Sequence, residues 1–257
     1  VVLFDAIEDA GFSYINNMHG IGTLRYVKDE ALNSNKILEL KEYLNRFKVR
    51  IVLTAHPTQF YPGPVLGIIT DLSEAIKSDD IDLVKALLVQ LGKTRFFKKN
   101  KPTPFDEANS LIWYLENVFY YSSSQINSYL QQHVFETTEM KNSIFDFGFW
   151  PGGDRDGNPF VTPEISIKTA EKLKYSILRN YYRDLRKLKR RITFDFVDLK
   201  ILKLEQKIYN TLLYPKKEIN ITLEDFLKEL KEIKEILINE HQSIYVDLIN
   251  DIIYKVN

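Results

Sequence analysis

The residues best suited to chemistry lie in a glycine-rich turn, Trp150–Pro159, with the sequence WPGGDRDGNP. Its three glycines and two prolines exclude a helix and predict a sharp turn. Glycine lets backbone N–H groups face one concavity, and Asp154 and Asp156 flank Arg155 and can fix its guanidinium. A fixed guanidinium matches a carboxylate, bicarbonate or phosphate, so the turn predicts an anion site. The plainer interpretation is a tight turn with a structural ion pair.

A second candidate is His56, which follows the β-branched apolar run Arg50–Ala55 and precedes Pro57. Because proline ends a strand, His56 is expected just beyond the carboxyl end of a buried strand, where parallel barrels place their active sites. An imidazole with an ordinary pKa of about 6.5 suits proton transfer near neutrality. A structural histidine before a turn is the alternative.

No metal site is predicted in this chain. Asp154, Asp156 and Asn158 resemble the start of a calcium-binding loop. Pro159 and Ile165 occupy the positions where that loop needs glycine and glutamate, so we reject it. An unrelated phosphate-ester enzyme that used the same turn would need its own metal-binding acids, and the sequence shows no convincing cluster of them.

The elements that must position these residues are mostly helices. Hydrophobic spacing predicts strands over 50–55 and 144–150 and helices over 29–47, 65–76, 81–97, 163–192, 195–213, 223–239 and 244–256, with another helix starting at Pro104. Threonines are predicted to cap three of these helices, at Thr103, Thr162 and Thr222.

The helix over 163–192 is predicted to be the longest. Its expected buried stripe consists of Ala170, Leu173, Ile177, Tyr181, Leu185 and Leu188. Its second half is strongly basic, and a solvated face with favourable charge at the helix end is the simpler interpretation. A subunit or ligand contact is the alternative.

Composition limits the class of protein. The chain has 257 residues, 44% of them hydrophobic, and 35 Lys and Arg balance 35 Asp and Glu. This balance argues against nucleic-acid or membrane-surface binding. No apolar run approaches the roughly 18 residues of a membrane span, and the absence of cysteine fits a cytoplasmic location. The chain starts with Val1 and stops within an apolar-periodic segment, so we expect a piece of a longer protein.

Three segments in order resemble the phosphoenolpyruvate carboxylase family. They are Leu53–Thr58 (LTAHPT), Lys101–Ala108 (KPTPFDEA) and the turn Trp150–Pro159. The ten-residue turn is the most specific of the three, and the resemblance covers roughly residues 50–190.

The resemblance implies carboxylation of phosphoenolpyruvate by bicarbonate to oxaloacetate and phosphate. It also implies Mg²⁺ or Mn²⁺, with ligands outside this chain, and a homotetramer. The implied fold is a mainly helical piece with a few parallel strands, part of a (β/α)₈ barrel enzyme with many added helices. Residues 1–257 are then a single N-terminal piece with artificial boundaries, inactive alone.

The resemblance also assigns roles to residues. His56 is the histidine that takes the carboxyl proton of carboxyphosphate, and Arg155 stabilises negative charge as it moves. Trp150 lies near bicarbonate, and Gly153 and Asp154 are expected to contact substrate with it. These roles agree with the proton-transfer group and anion site expected from the residues themselves.

The sequence departs from the family pattern in its first loop. Gln59 stands where the family usually has glutamate, and Tyr61–Pro64 replaces a pair of arginines. Pro151 replaces the usual methionine. These departures indicate a divergent branch, and they motivate the alternative that the protein is a non-catalytic regulatory or partner protein derived from the family.

Overall fold

The structure, a computed structural model, describes residue 7 and residues 23–54, 61–96, 102–214 and 221–256. These residues are mostly helical, with two strands among them. The chain divides into two compact units, residues 1–37 with 55–102 and residues 38–54 with 103–257. The mainly helical architecture with parallel strands that the sequence predicts is therefore confirmed.

The first unit contains helices α1 (Leu24–Asn33), α3 (Gly63–Lys77) and α4 (Ile81–Lys93). Helices α3 and α4 pack against each other around a small core. The fully or nearly fully buried side chains of this core are Val65, Ile68, Ile69, Leu72, Ala75, Leu87 and Leu91.

The prediction of a single helix over 29–47 is wrong. Helix α1 ends at Asn33, and a second helix, α2 (Ile37–Leu44), begins three residues after Ser34. Asn35 between them has a φ of 54°, a left-handed conformation that ends a helix and that asparagine tolerates better than most residues.

The second unit is larger and contains most of the helices. They are α5 (Pro104–Tyr114), α6 (Tyr120–Leu130), α7 (Pro163–Arg191), α8 (Asp198–Leu213), α9 (Leu223–Asn239) and α10 (Ser243–Val256). Two five-residue π-helical segments, π1 (Leu115–Phe119) and π2 (Gln131–Phe135), lie before and after α6. Helix α7 packs against α5 and α8, and α9 packs against α10.

The threonine caps predicted from the sequence are confirmed. Thr103 accepts a hydrogen bond from the N–H of Asp106, whose carboxylate accepts one from the N–H of Thr103, which completes a capping box. Thr162 caps α7 and Thr222 caps α9 in the same way, through their hydroxyl oxygens. These caps fix where the helices begin.

The buried face of α7 differs in part from the predicted stripe. Tyr181, Leu185 and Leu188 are buried as expected. Near the start of the helix, however, Ala170 is exposed and the neighbouring Thr169 is buried instead.

Several basic residues of α7 make ion pairs inside the second unit. Arg179 and Arg183 pair with the buried carboxylate of Glu116 in π1, at 3.6 and 2.9 Å. Lys189 pairs with the buried Glu205 of α8. Most of these basic residues are nevertheless exposed, as the solvated-face interpretation expects, and some of them also pair with neighbouring elements.

A second buried polar cluster joins α6, α7 and α10. The carboxylate of Asp184 accepts hydrogen bonds from the Tyr120 hydroxyl and from the Lys255 ammonium, both at 3.0 Å. Lys255 also donates to Asp251 at 2.6 Å, and Ser124 donates to the same carboxylate at 3.0 Å. Each buried charge thus has an opposite partner, as burial requires.

The two strands, β1 (Val49–Leu53) and β2 (Phe145–Phe149), form a parallel pair in the second unit. Their register places Val49 opposite Phe145 and Leu53 opposite Phe149. Arg50 and Asp146 stand opposite each other, and the Arg50 Nε donates to the Asp146 carboxylate at 2.7 Å. This hydrogen bond is the main cause of the lowered pKa of Asp146.

Candidate functional site

The carboxyl ends of the two strands lie side by side. Leu53 pairs with Phe149, and the next N–H along, that of Trp150, donates to the carbonyl of Leu53 at 3.1 Å. The segments that follow β1 and β2 therefore leave from the same edge of the sheet. His56 and Gln59 follow β1 but lie outside the described residues, so the structure describes only the second of the two predicted loops.

The turn after β2 is closed by its own backbone. The carbonyl of Trp150 accepts hydrogen bonds from the N–H groups of both Gly153 and Asp154, each at 2.9 Å. The Asp154 carboxylate then accepts from the N–H of Asp156 at 3.1 Å. The amides of Gly153 and Asp154 thus hold the turn together, whereas the sequence suggested that such groups would face outward toward an anion.

Two glycines of the turn need conformations that other residues avoid. Gly152 has a φ of +73° and Gly157 a φ of +66°. They differ in their surroundings, because Gly152 is buried against α7, whereas no atom lies within 4 Å of the place where a Cβ would be at Gly157. Pro151 is also buried, and residues 153–160 are exposed.

Arg155 is presented to solvent without the carboxylate clamp that its neighbours suggested. No ion pair within 4 Å joins it to Asp154 or Asp156, all three of which are described. The expectation of a clamped guanidinium is therefore wrong. The nearby Glu164 has a lowered pKa, chiefly because of a hydrogen bond from the Thr162 hydroxyl and to a smaller extent because of the positive charge of Arg155. An exposed guanidinium of this kind is available for an external anion.

Aromatic side chains lie on both sides of the guanidinium in sequence. Trp150 is 56% exposed and Phe160 is 73% exposed. Trp150, Gly153, Asp154 and Arg155, which the sequence singled out, thus belong to one compact turn.

Thr169 is the residue near the turn that the sequence reasoning missed. It is buried, at 4% exposure, directly against Gly152. The available signal was weak, because one threonine near the start of a long amphipathic helix resembles many solvent-facing threonines.

The described residues contain neither a metal-binding cluster nor a membrane-spanning helix. No group of three or more His, Asp or Glu side chains in these ranges is arranged to hold a metal ion. In the same residues, no helix is both long enough and apolar enough to span a membrane.

The parallel strand pair, the glycine turn at its carboxyl edge and the capped helix that follows form an α/β strand–turn–helix unit on a helical scaffold. The family model for phosphoenolpyruvate carboxylase matches residues 19–245, and the chain belongs to this family.

Three relatives, each named phosphoenolpyruvate carboxylase, show the extent of the similarity. The protein from Psychromonas ingrahamii is 26% identical over 176 residues, which are 62% of this chain and 20% of that relative. The Thermus thermophilus protein is 30% identical over 131 residues, covering 50% of this chain and 15% of the relative. The Prochlorococcus marinus protein is 30% identical over 149 residues, covering 51% and 15%. The chain therefore spans about a fifth or less of the length of these relatives.

Proposed function

We propose that this chain supplies part of the active site of a phosphoenolpyruvate carboxylase, which carboxylates phosphoenolpyruvate with bicarbonate to give oxaloacetate and phosphate. The observation that carries the proposal is the parallel pairing of β1 and β2, which starts both family motifs from the same sheet edge. Membership of the family supports the same assignment. On this proposal His56 and Arg155 act in one shared pocket.

The proposed course has two stages. An oxygen of bicarbonate attacks the phosphorus of phosphoenolpyruvate, which forms carboxyphosphate and releases the enolate of pyruvate. His56 then takes the carboxyl proton of carboxyphosphate, which breaks into carbon dioxide and phosphate. The enolate carbon attacks the carbon dioxide to form oxaloacetate.

Arg155 is proposed to stabilise the negative charge that moves between these oxygens. A preorganised cation aimed at developing charge is commonly the largest catalytic contribution of a site. The guanidinium makes no ion pair with Asp154 or Asp156, so neither of these carboxylates must be displaced before it binds an anion. The exposed ring of Trp150 is proposed to form the apolar wall beside bicarbonate.

The family implies Mg²⁺ or Mn²⁺, but the described residues do not fit such an ion, because they contain no suitable group of acids or histidines. No step above passes through a metal, and we propose that its ligands lie elsewhere in the full-length protein. We further propose that β1 and β2 belong to a (β/α)₈ barrel, that the full-length protein is a cytoplasmic homotetramer, and that this chain alone is inactive.

A coupled assay of oxaloacetate formation tests the proposal in the full-length protein. We expect turnover that requires both phosphoenolpyruvate and bicarbonate. The Arg155→Ala variant should lower kcat by about 10²- to 10³-fold. Arg190→Ala is the matched control, since Arg190 is exposed on α7 and makes no ion pair among the described residues, and its kcat should stay at the parent value.

The histidine is tested in the same assay. His56→Asn should lower kcat by about 10²- to 10⁴-fold, the usual contribution of a general acid or base. His241→Asn is its control, because His241 has a φ of 56°, a conformation that asparagine accepts readily. Full-length protein without bicarbonate-dependent turnover would defeat the enzyme assignment and favour a non-catalytic relative.

A further inference from the structure

The glycine turn touches the helix that follows it at one close contact. A Cβ built on Gly152 would lie 2.2 Å from the Oγ1 of Thr169, 3.0 Å from its Cβ and 3.2 Å from its Cγ2. The Gly152 hydrogen in that position therefore points at the threonine oxygen, as in the weak Cα–H···O contacts between packed backbone segments. No side chain fits at residue 152 while Thr169 stays in place.

The hydroxyl of Thr169 makes no hydrogen bond in the described residues, unlike two other hydroxyls on helices of this unit. Ser166 donates to the carbonyl of Thr162 at 3.3 Å, and Thr211 donates to the carbonyl of Lys207 at 2.9 Å. Thr169 Oγ1 is buried and has no hydrogen-bond partner among the described residues. Leaving a buried hydroxyl unpaired is unfavourable, so a hydrogen bond does not account for the placement of this side chain. The packing against Gly152 is the interaction that the structure provides.

The contact between Gly152 and Thr169 lies at the start of the exposed segment of the turn, where it can fix the direction in which that segment leaves α7. Pro151 and Gly152 are buried, whereas the segment from Gly153 to Phe160 is exposed and is tied to itself by the Trp150 carbonyl. The chain next meets α7 at Thr162, which caps that helix. The exposed part of the turn is therefore attached to α7 at both ends. The attachment nearer to Trp150 is the packing of Gly152 on Thr169, and the other is the cap at Thr162.

We infer that Thr169 is a positioning residue for the glycine turn. By packing on Gly152 it sets the left-handed conformation there, and through it the directions of Trp150 and Arg155. Its effect on catalysis rests on the proposed function, but its effect on the turn does not.

Trp150 reports directly on the turn. The chain has two tryptophans, so the Trp113→Phe variant leaves Trp150 as the single tryptophan. Because Trp113 is exposed, this substitution should disturb the fold little. In this background we expect Thr169→Val, which places a larger methyl group where Oγ1 was, to shift the emission maximum of Trp150 and change its quenching by acrylamide. Thr169→Ser, which keeps the oxygen, should retain the parent spectrum. Equal spectra for all three proteins, with helix content unchanged by circular dichroism, would overturn the inference.

A pair of glycine variants provides the second measurement. Gly152 and Gly157 both have positive φ, but only at Gly152 would a new Cβ meet Thr169. Gly152→Ala should alter the Trp150 signal, Gly157→Ala should alter it less, and adding Thr169→Ala to Gly152→Ala should restore part of it. Gly152→Ala without any effect, or a double variant without any restoration, counts against the contact even if Thr169→Val does not fold.

The activity of the full-length protein separates this inference from the proposed function. Displacing a catalytic group by about 1 Å can lower rates by about 100-fold, so Thr169→Val should lower kcat by up to about that factor and Thr169→Ser should restore it. If the parent protein lacks carboxylation activity, the proposed function fails and the Trp150 measurements still decide the role of Thr169. If the parent is active and Thr169→Val matches it in kcat and in the Trp150 signal, the positioning role fails alone.

Discussion

Tyr120 is a buried tyrosine whose raised pKa makes the stability of the fold depend on pH. Its ring is 6% exposed and its hydroxyl donates to Asp184, which also binds Lys255. Burial raises the pKa of Tyr120 far above its usual value of about 10, and the charge of Asp184 adds to this effect. The nearby Tyr181 has its pKa raised to about 12 by burial.

The raised pKa predicts sensitivity to alkali. A group whose pKa is higher in the folded state contributes its full stability below the unfolded pKa, near pH 10, and loses that contribution as the pH rises further. The free energy of unfolding should therefore fall above about pH 10. Tyr120→Phe should reduce that slope by about 1.4 kcal/mol per pH unit, the effect of one proton.

Urea unfolding between pH 9 and 11.5 measures this slope. Tyr114→Phe is the control, since the Tyr114 ring is 47% exposed, and it should keep the parent slope. Tyr120→Phe is expected to be less stable than the parent at neutral pH, because it loses the hydrogen bond to Asp184. Parallel curves for the parent and Tyr120→Phe would contradict the prediction.

The residue types of the glycine turn indicate where the candidate site lies, but they do not indicate which groups form hydrogen bonds or ion pairs with each other. The three glycines and Arg155 identified the location of the candidate site. The sequence predicts that the carboxylates of Asp154 and Asp156 pair with Arg155, because they are its neighbours in the chain. In the turn, the Asp154 carboxylate accepts a backbone N–H instead, and such local hydrogen bonds compete with ion pairs to a long, flexible arginine.

At the scale of elements, helix starts were predictable because their signals are local. The N-cap threonine and the acidic residues of the first turn are adjacent in sequence, so Thr103, Thr162 and Thr222 could be read directly. The π-helical segments were not predicted, since a widened turn has no comparable local signal. The buried face continues through π1 at four-residue spacing, since Ile112, Glu116 and Tyr120 are buried while Trp113 and Tyr114 are exposed.

The cap of α9 provides a test at this scale. The Thr222 hydroxyl accepts from the N–H of Asp225 at 3.1 Å and donates to its carboxylate at 2.7 Å. Thr222→Ala should lower the free energy of unfolding by about 1 kcal/mol, because a first-turn N–H loses its partner. Thr222→Ser keeps the hydroxyl and should stay within a few tenths of a kcal/mol of the parent in the same denaturant titration. An alanine variant as stable as the serine variant would show that the cap contributes nothing.

At the scale of the whole molecule, the division into two units predicts that each unit can unfold separately, which unfolding experiments can measure. Each unit has its own buried core, with Leu72 fully buried in the first and Leu230 fully buried in the second. Truncating a buried leucine to alanine costs about 2–5 kcal/mol. Both tryptophans, Trp113 and Trp150, belong to the second unit, so tryptophan fluorescence follows the unfolding of that unit.

Leu230→Ala should therefore lower the midpoint of the fluorescence-detected transition. Leu72→Ala should leave that midpoint near the parent value and lower only part of the helix signal followed by circular dichroism. The two variants serve as controls for each other, because each removes the same atoms from a different core. A fluorescence midpoint that falls equally in both would mean that the units unfold as one.

The parallel strand pair also has a consequence for synthesis on the ribosome. Arg50 and Asp146 stand opposite each other although they are 96 positions apart in the chain. At translation rates of about 5–20 residues per second, β1 waits about 5–20 s before β2 is made. During that interval β2, the strand that pairs with β1 among the described residues, has not yet been made, and an unpaired strand is a template for aggregation. Slowing translation after residue 53 should lengthen this exposure and increase the need for chaperones.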